Sequence, residues 1–430
     1  MQQRARATAS GLKPSSSRAA VQAHGAGRFA GGSAAPRSKA RRNTRTAAHK
    51  AGARPGQAGR VKRAKGAGPA LSSGRRAAAA KRGKRPAVLL RRRRVKRAAA
   101  MPRISSAAYQ AGYRAGREDG LRVSLEHEPF RIKALNRHWM ARTQAQQRGG
   151  LSWRQFNEAS KGYVHGYFRA RKQVPPPWVL LPTDKSVAAI VSVRNEEKTI
   201  GSVVRQLNRL PLDEVYVIVN GSTDRSFQQV RERSQACVLS FPEALGHDVG
   251  RAMGAKLAQA DILLFLDGDI VIPAEALIPF IGAVDRGADL ALNDIGPYLN
   301  PFAKQDQVTH MKQFLNASLG RHDLGANSLT AVPHALSRKA VETLGLPNLM
   351  VPPKAQALAV HRGLRITAPG SVNVIRGNKR RRENTGRNNQ VADLIIGDHV
   401  EALKLAGDLA GERLAFVDAL RQREQTGGEG

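Results

Sequence analysis

The chain has 430 residues, enough for one large domain or two modest ones, because single hydrophobic cores rarely grow past about 250–300 residues. Its net charge of +38 is uneven: residues 1–103 hold 29 Lys and Arg and no acidic residue, while residues 104–430 hold 42 basic and 33 acidic ones, or +9. A single cysteine, Cys237, excludes a disulfide framework and a cysteine-based metal cluster, and its apolar neighbours predict a buried thiol.

The first 103 residues are rich in Ala, Arg, Lys, Gly, Ser and Pro and contain almost no large apolar side chain. Such a segment cannot bury enough surface to offset its loss of chain entropy, so we expect it to be disordered. The basic run at 91–97 could bind nucleic acid or an anionic membrane without sequence specificity. Alternatively, Met101 is the true start and the upstream residues are a wrongly assigned extension of the reading frame.

Apolar stretches of the chain are too short to cross a bilayer, which takes about 20 residues. No signal-like apolar stretch follows the N-terminal charges. We therefore expect a cytoplasmic protein without a transmembrane segment, and peripheral attachment to a membrane stays open.

Residues 104–178 predict a small helical region that ends in a proline linker. Segments 109–116 and 162–167 place Tyr and Gly at helical spacings, and Trp139, Trp153 and Phe156 add apolar anchors. We expect these aromatic side chains to pack helices against one another.

Strand and helix patterns alternate from Lys185 onward. Apolar runs predict strands at 187–193, 215–219, 236–241, 262–266 and 289–293. Helices are expected after Glu196, over 247–259 and from Pro273, and a further helix, strand and helix reach about Gly363. This alternation predicts an α/β fold with a doubly wound, mostly parallel sheet over 185–375, followed by a basic loop and a C-terminal helix over 376–430.

Ligands of doubly wound sheets bind beyond the carboxyl ends of the strands, where three polar segments are predicted to meet. These segments are 193–197, 219–226 and 266–269. Asp267 and Asp269 leave a buried strand together, and their carboxylate oxygens suit Mg²⁺ or Mn²⁺ shared with a diphosphate. Gly268 between them allows a nucleotide to approach the backbone closely.

Four motifs in this order resemble the family 2 glycosyltransferases of the GT-A fold, over residues 186–275. They are Asn195-Glu196, Asn220-Gly221-Ser222-Thr223-Asp224, Gly250-Arg251-Ala252-Met253-Gly254 and the DxD motif Asp267-Gly268-Asp269. The resemblance implies metal-dependent transfer of a sugar from a nucleotide-diphosphate donor to an unknown acceptor, with inversion.

The resemblance also implies roles for single residues. Nucleotide binding falls to Val193, Asn195, Glu197, Asn220, Gly221, Arg251 and Asp267, and metal binding to Asp267 and Asp269. Asn220 stands where the family usually has an aspartate that accepts a hydrogen bond from uracil N3, so the choice between uridine and guanosine stays open.

The family's downstream Glu-Asp pair, which supplies the catalytic base, is not evident in the matching stretch 350–356. The candidates for this base are Asp294, Asp323 and Asp398. His399 could instead complete the metal site, as a later histidine does in some relatives, and Asp398 could simply begin the terminal helix.

Two other functions stay open from the sequence. A nucleotidyltransferase of related fold fits less well, because a glycine-rich Arg-Lys loop is missing after the first strand. A noncatalytic, degenerate transferase domain with a DNA-binding basic tail is the second alternative. The basic loop at 376–387 could clamp an anionic diphosphate or acceptor, or simply be solvated.

Overall fold

A computed structural model gives the fold and describes residues 106–147, 151–375, 389–419 and 421. The predicted disordered tail 1–103, the alternative start Met101 and the basic loop 376–387 lie outside these residues. The helices of the described ranges are α1 (Ala107–Arg122), α2 (Arg131–Gln147), α3 (Trp153–Ala170), α4 (Ile200–Leu207), α5 (Ser226–Arg231), α6 (Val249–Leu257), α7 (Ile278–Asp285), α8 (Gln307–Ser318), α9 (Arg338–Leu344), α10 (Leu346–Leu349), α11 (Pro352–His361) and α12 (Gln390–Ala410). The strands are β1 (Val187–Val193), β2 (Glu214–Asn220), β3 (Cys237–Phe241), β4 (Ile262–Asp267), β5 (Leu290–Asn293), β6 (His334–Ser337) and β7 (Ile366–Gly370).

The helical region α1–α3 is held together by close backbone contact. A Cβ atom added at Gly116 of α1 would lie 2.0 Å from the carbonyl oxygen of Tyr163 in α3, so only glycine allows the two helices to approach this far. Asp119 is buried between the helices and accepts hydrogen bonds from Arg142 and from the Tyr163 hydroxyl. Tyr163 and Tyr167 are fully buried, as expected for aromatic residues that pack helices.

Seven strands form one sheet in the order β3-β2-β1-β4-β6-β5-β7. All neighbouring pairs are parallel except those of β6, which runs antiparallel to both β4 and β5. The fold is therefore α/β with a mixed, mostly parallel sheet, and the carboxyl ends of six strands share one edge with the start of β6.

The five strands predicted from apolar runs are all present, each with ends within one residue of the prediction. Alternate residues of β1 enter the cores on the two faces of the sheet: Ala189 and Val191 on one face, and Ala188 and Ile190 on the other. Burial on both faces explains why the parallel strands appear in the sequence as continuous apolar runs. The helix predicted from Pro273 begins instead as a short 3-10 turn at Ala274–Leu277 and continues as α7.

The predicted burial of Cys237 is wrong, because the residue is exposed. It begins β3, which is the edge strand of the sheet and is covered less completely than β1 or β4. Within the described ranges we find no helix that has both the length and the apolar composition of a membrane span.

Candidate functional site

The topology brings the predicted polar segments to one edge of the sheet. Asn195 follows β1, Asn220 ends β2, Asp267 ends β4 and Asp294 follows β5, and these four strands run in the same direction. Side chains from distant parts of the sequence thus surround one region beyond the carboxyl ends of the strands, the usual ligand site of such sheets.

The loops after β1 and β2 are joined by hydrogen bonds. The Asn195 side-chain oxygen accepts from the backbone N–H of Thr223 at 2.8 Å, and the Asn195 N–H donates to the Ser222 hydroxyl at 3.0 Å. The Glu197 N–H donates to the Asp224 carboxylate at 3.0 Å. Asn195 adopts a left-handed conformation with φ 56°, which asparagine tolerates better than most residues. The polar residues of both loops therefore build a shared rim at this edge.

Val193 and Gly268 lie directly against each other below that rim. A Cβ added at Gly268 would come within 2.9 Å of a Val193 methyl group, and the Gly268 N–H donates to the Ser192 carbonyl at 2.8 Å. Val193 is only 2% exposed and belongs to the core. Its side chain thus supports the rim from below, and the predicted contact with a nucleotide would have to come from its main chain.

Arg251 is buried behind the rim and contacts three acceptors. Its guanidinium donates to the Leu329 carbonyl at 3.1 Å and pairs with Asp248 at 3.1 Å and with Asp267 at 3.5 Å. Asp248 immediately precedes α6 in a left-handed conformation with φ 59°, and its second oxygen lies 3.1 Å from Nδ1 of His247. This arrangement connects the start of α6 to the first aspartate of the DxD motif.

The two aspartates beside Arg251 differ in their pKa. Burial raises the pKa of Asp248, but Arg251 and His247 outweigh burial and hold this pKa below its ordinary value. Burial also raises the pKa of Asp267, and here Arg251 compensates only in part. Asp267 is therefore a carboxylate whose charged form would gain from an additional cation.

Asp267 and Asp269 offer two hard oxygen donors, separated by the buried Gly268. Such a pair fits Mg²⁺ or Mn²⁺, which takes its remaining ligands from phosphate and water. Within the described ranges no three His, Cys, Asp or Glu side chains come together as a group that could hold a metal ion. The structure thus leaves His399 outside a three-residue cluster with these two aspartates.

His399 nevertheless has the protonation that a ligand needs. The residue is fully buried in α12, and its Nδ1 lies 2.6 Å from the Ile395 carbonyl. Because a carbonyl oxygen only accepts hydrogen bonds, we assign the ring proton to Nδ1, which leaves a lone pair on Nε2. Nε2 is buried and has no hydrogen-bond partner in the part of the chain that is described. Its role as a metal ligand stays a prediction.

The three candidate bases have different surroundings. Asp294 is half-buried at the shared edge and accepts from the Gly296 N–H at 3.1 Å and from the Asn327 amide at 3.2 Å. Asp323 is largely exposed and bound twice by Arg321, which lowers its pKa and makes it a weaker base. Asp323 is the least suitable of the three.

Asp398 has the properties expected of a base. It is half-buried, and burial, together with the charges of Asp248 and Glu401, raises its pKa to about 6. It lies inside α12, whose N-terminal cap is Asn389, so the alternative that Asp398 begins the terminal helix is wrong. Asp248, the ion-pair partner of Arg251, is thus one of the charges that raise the pKa of Asp398.

The stretch 350–356, where the family would have its acidic pair, has a structural role here. Pro352 and Pro353 form the first turn of α11, and Lys354 pairs with Glu401 at 2.6 Å. The buried Gln356 accepts from the Leu329 N–H at 2.9 Å. Because the Leu329 carbonyl accepts from Arg251, this stretch supports the site without supplying a carboxylate.

Two residues of this region were not predicted from the sequence. Asp248 carried a signal, since it lies three residues before Arg251 and can reach it across one turn of α6. Lys312 of α8 carried none: burial, opposed by Asp306 and assisted by Arg251, lowers its pKa to about 8. Only tertiary packing brings Lys312 into the field of Arg251.

A family model matches part of the chain. Residues 188–343 match the family model described as Glycosyl transferase family 2, and these residues include the ends of β1, β2, β4 and β5. No curated protein matches the chain in sequence.

Solved structures of glucosyl-3-phosphoglycerate synthase from Mycobacterium tuberculosis are similar to this chain. The complex with uridine-diphosphate is 19% identical and the alignment covers 55% of this chain and 82% of that chain, with a TM-score of 0.39. The complex with Mn²⁺, uridine-diphosphate-glucose and phosphoglyceric acid is 19% identical over the same shares, with a TM-score of 0.40. The complex with Mg²⁺ and uridine-diphosphate is 17% identical, again over 55% and 82%, with a TM-score of 0.38.

Proposed function

We propose that the chain, whose residues 188–343 match the family model described as Glycosyl transferase family 2, transfers a sugar from a nucleotide-diphosphate donor to an acceptor hydroxyl, with a divalent cation and with inversion. The observation that carries this proposal is the pair Asp267 and Asp269 at the end of the buried strand β4. Arg251 backs the first of these carboxylates, and the rim formed by the loops after β1 and β2 lies beside them.

Asp267 and Asp269 would hold Mg²⁺ or Mn²⁺ together with the diphosphate of the donor. When bound, the ion supplies positive charge to the diphosphate, which is the leaving group. Asn195, Glu197 and Gly221 would bind the nucleoside at the rim. Arg251 keeps the Asp267 carboxylate in place, since its guanidinium is anchored on Leu329 and Asp248 as well.

Asp398 is the base that we assign to the acceptor. Inverting transfer requires a carboxylate that takes the proton of the acceptor hydroxyl. The hydroxyl oxygen bonds to the anomeric carbon of the sugar as the bond between that carbon and the diphosphate oxygen breaks. The half-buried position of Asp398 and the influence of the Asp248 charge on its pKa support this role. Its pKa of about 6 leaves it ionised at neutral pH and more basic than an ordinary aspartate.

The test measures binding of UDP and GDP with Mn²⁺, and hydrolysis and transfer of their sugar conjugates, for wild type and Asp269→Asn. We expect metal-dependent binding and turnover in the wild type and a loss of turnover of about 10²–10³-fold in the variant. The matched control is Asp408→Asn, because within the part of the chain that is described Asp408 forms an exposed i,i+4 pair with Lys404 on α12.

The two alternative functions give other outcomes. A wild type that binds neither nucleotide in the presence of Mn²⁺ would favour a noncatalytic domain. Synthesis of a nucleotide sugar from a nucleoside triphosphate and a sugar phosphate would identify a nucleotidyltransferase. Equal turnover in wild type and Asp269→Asn would remove the DxD motif from the mechanism.

A further inference from the structure

The side chain of Asn220 makes two hydrogen bonds to the loop that joins β3 to α6, residues 242–248. Its amide nitrogen donates to the Gly246 carbonyl at 2.9 Å, and its amide oxygen accepts from the Leu245 N–H at 2.7 Å. The two bonds hold the consecutive residues Leu245 and Gly246 of the loop against the end of β2.

Gly221 adds a second, independent contact between the same two segments. Its N–H donates to the Phe241 carbonyl at 2.9 Å, and it has a positive φ of 67°. A Cβ atom at this position would lie 2.7–2.8 Å from atoms of Ala244, so the loop rests directly on the glycine. The end of β2 and the loop 242–248 are therefore in contact through both Asn220 and Gly221.

The chemistry of the Asn220 contact requires an amide. The side chain must donate to a carbonyl and accept from an N–H at the same time, which an ionised carboxylate cannot do because it only accepts. An aspartate here would keep the bond from Leu245 but would place a negative charge against the Gly246 carbonyl oxygen. The need for both a donor and an acceptor is a physical reason for asparagine at this position, where family 2 glycosyltransferases usually have aspartate.

The clamped loop ends in residues that organise the candidate metal site. His247 and Asp248 directly follow Gly246, and the left-handed Asp248 pairs with Arg251 at 3.1 Å. Arg251 in turn lies 3.5 Å from Asp267. Displacement of the loop would move Asp248 and remove one of the anchors that orient Arg251.

We infer that Asn220 is a positioning residue: it clamps the loop 242–248 and so sets Asp248, Arg251 and Asp267, and it does not select the base of the donor nucleotide. The inference rests on the proposed function, because its consequence for catalysis assumes that Asp267 serves the donor site. Nucleotide binding then depends on Asn220 equally for every base.

The test uses the full chain and the variants Asn220→Asp and Asn220→Ala. Asn208→Asp is the matched control, since the Asn208 amide also donates to a backbone carbonyl, that of Arg233 at 3.0 Å, but at an exposed site at the C-terminal end of α4. Hydrogen–deuterium exchange of the loop 242–248 is compared with wild type in the absence of ligand. Affinities for UDP and GDP with Mn²⁺ are measured from pH 8 down to about pH 4.5.

For Asn220→Asp we expect faster exchange of the loop and, at pH 8, affinities for UDP and GDP that are both about tenfold weaker than in wild type. The deficit relative to wild type should shrink at the acidic end, because a protonated carboxyl has the donor and the acceptor of the amide. Asn220→Ala should lose affinity without this recovery, and Asn208→Asp should resemble wild type.

Unchanged exchange of the loop in Asn220→Asp would overturn the inference. So would a change in the ratio of UDP to GDP affinity, which would make Asn220 a base-selecting residue. A wild type that binds neither nucleotide would defeat the proposed function instead, and the exchange measurement would still decide whether Asn220 clamps the loop.

Discussion

Replacing Arg251 by methionine tests the electrostatic arrangement behind the DxD motif. The Arg251 side chain is 7% exposed, and its partners Asp248 and Asp267 are 11% and 32% exposed. Removing one partner of a buried ion pair costs about 3–5 kcal/mol, because the other charge stays buried alone. The contact with Asp267 is longer and partly solvated and adds less than about 1 kcal/mol. We expect Arg251→Met to lower the free energy of unfolding by about 3–6 kcal/mol at neutral pH.

The free energy of unfolding that Arg251→Met loses should depend on pH in a defined direction. The folded-state pKa of Asp248 is lowered, so in wild type its contribution to stability is present above its unfolded pKa of about 4 and is lost as pH falls through the folded value. Without Arg251, burial should raise the pKa of Asp248. Protonation of Asp248 at low pH then removes the unpaired buried charge and reduces the stability lost by the variant. The difference in unfolding free energy should therefore be largest near neutral pH and shrink toward about pH 4.

Urea unfolding followed by tryptophan fluorescence at pH 7.5 and at pH 4.5 measures both effects. Arg251→Lys should fall between wild type and Arg251→Met, because an ammonium keeps the charge but cannot span three acceptors. Arg205→Met is the control, since Arg205 is exposed and, among the described residues, its side chain hydrogen-bonds to Ser202 one turn away. A cost below about 1 kcal/mol at pH 7.5, as for an exposed pair, would refute the reasoning, as would a difference that grows on acidification.

Two further predictions concern the helices. Gly116→Ala should lower the free energy of unfolding by about 3 kcal/mol, because its Cβ would lie 2.0 Å from the Tyr163 carbonyl oxygen. A Cβ at Gly407 in α12 meets nothing within 4 Å, so Gly407→Ala should raise the free energy of unfolding by about 0.5–1 kcal/mol. Chemical denaturation compares the two variants, and equal effects would contradict the close packing of α1 and α3. Asp398→Asn should reduce kcat by about 10²–10⁴-fold. In the wild type kcat/KM should rise as pH increases through about 6, the pKa of Asp398. A pH profile that is the same in wild type and variant would assign the role of base to another residue, and Asp294 would be tested next.

Much of the fold could be predicted because the local pattern was unambiguous. β1 and β4 are buried on both faces, so their sequences are continuous apolar runs with clear ends. The direction of β6 could not be predicted in this way, since a four-residue strand has the same apolar pattern whether it runs parallel or antiparallel. Cys237 shows the same limit, because an apolar neighbourhood does not reveal that its strand lies at the edge of the sheet.

The sequence by itself determined the α/β class, the order of the motifs and the edge of the sheet where they meet, because periodicity and strand direction are properties of short segments. Only the tertiary structure decided which groups interact: Asp248 pairs with Arg251, the Asn220 amide bonds to the loop 242–248, and the Asp248 charge acts on the pKa of Asp398 in α12. Electrostatic interaction and hydrogen bonding depend on separations of a few ångströms, and positions in the sequence do not give those separations.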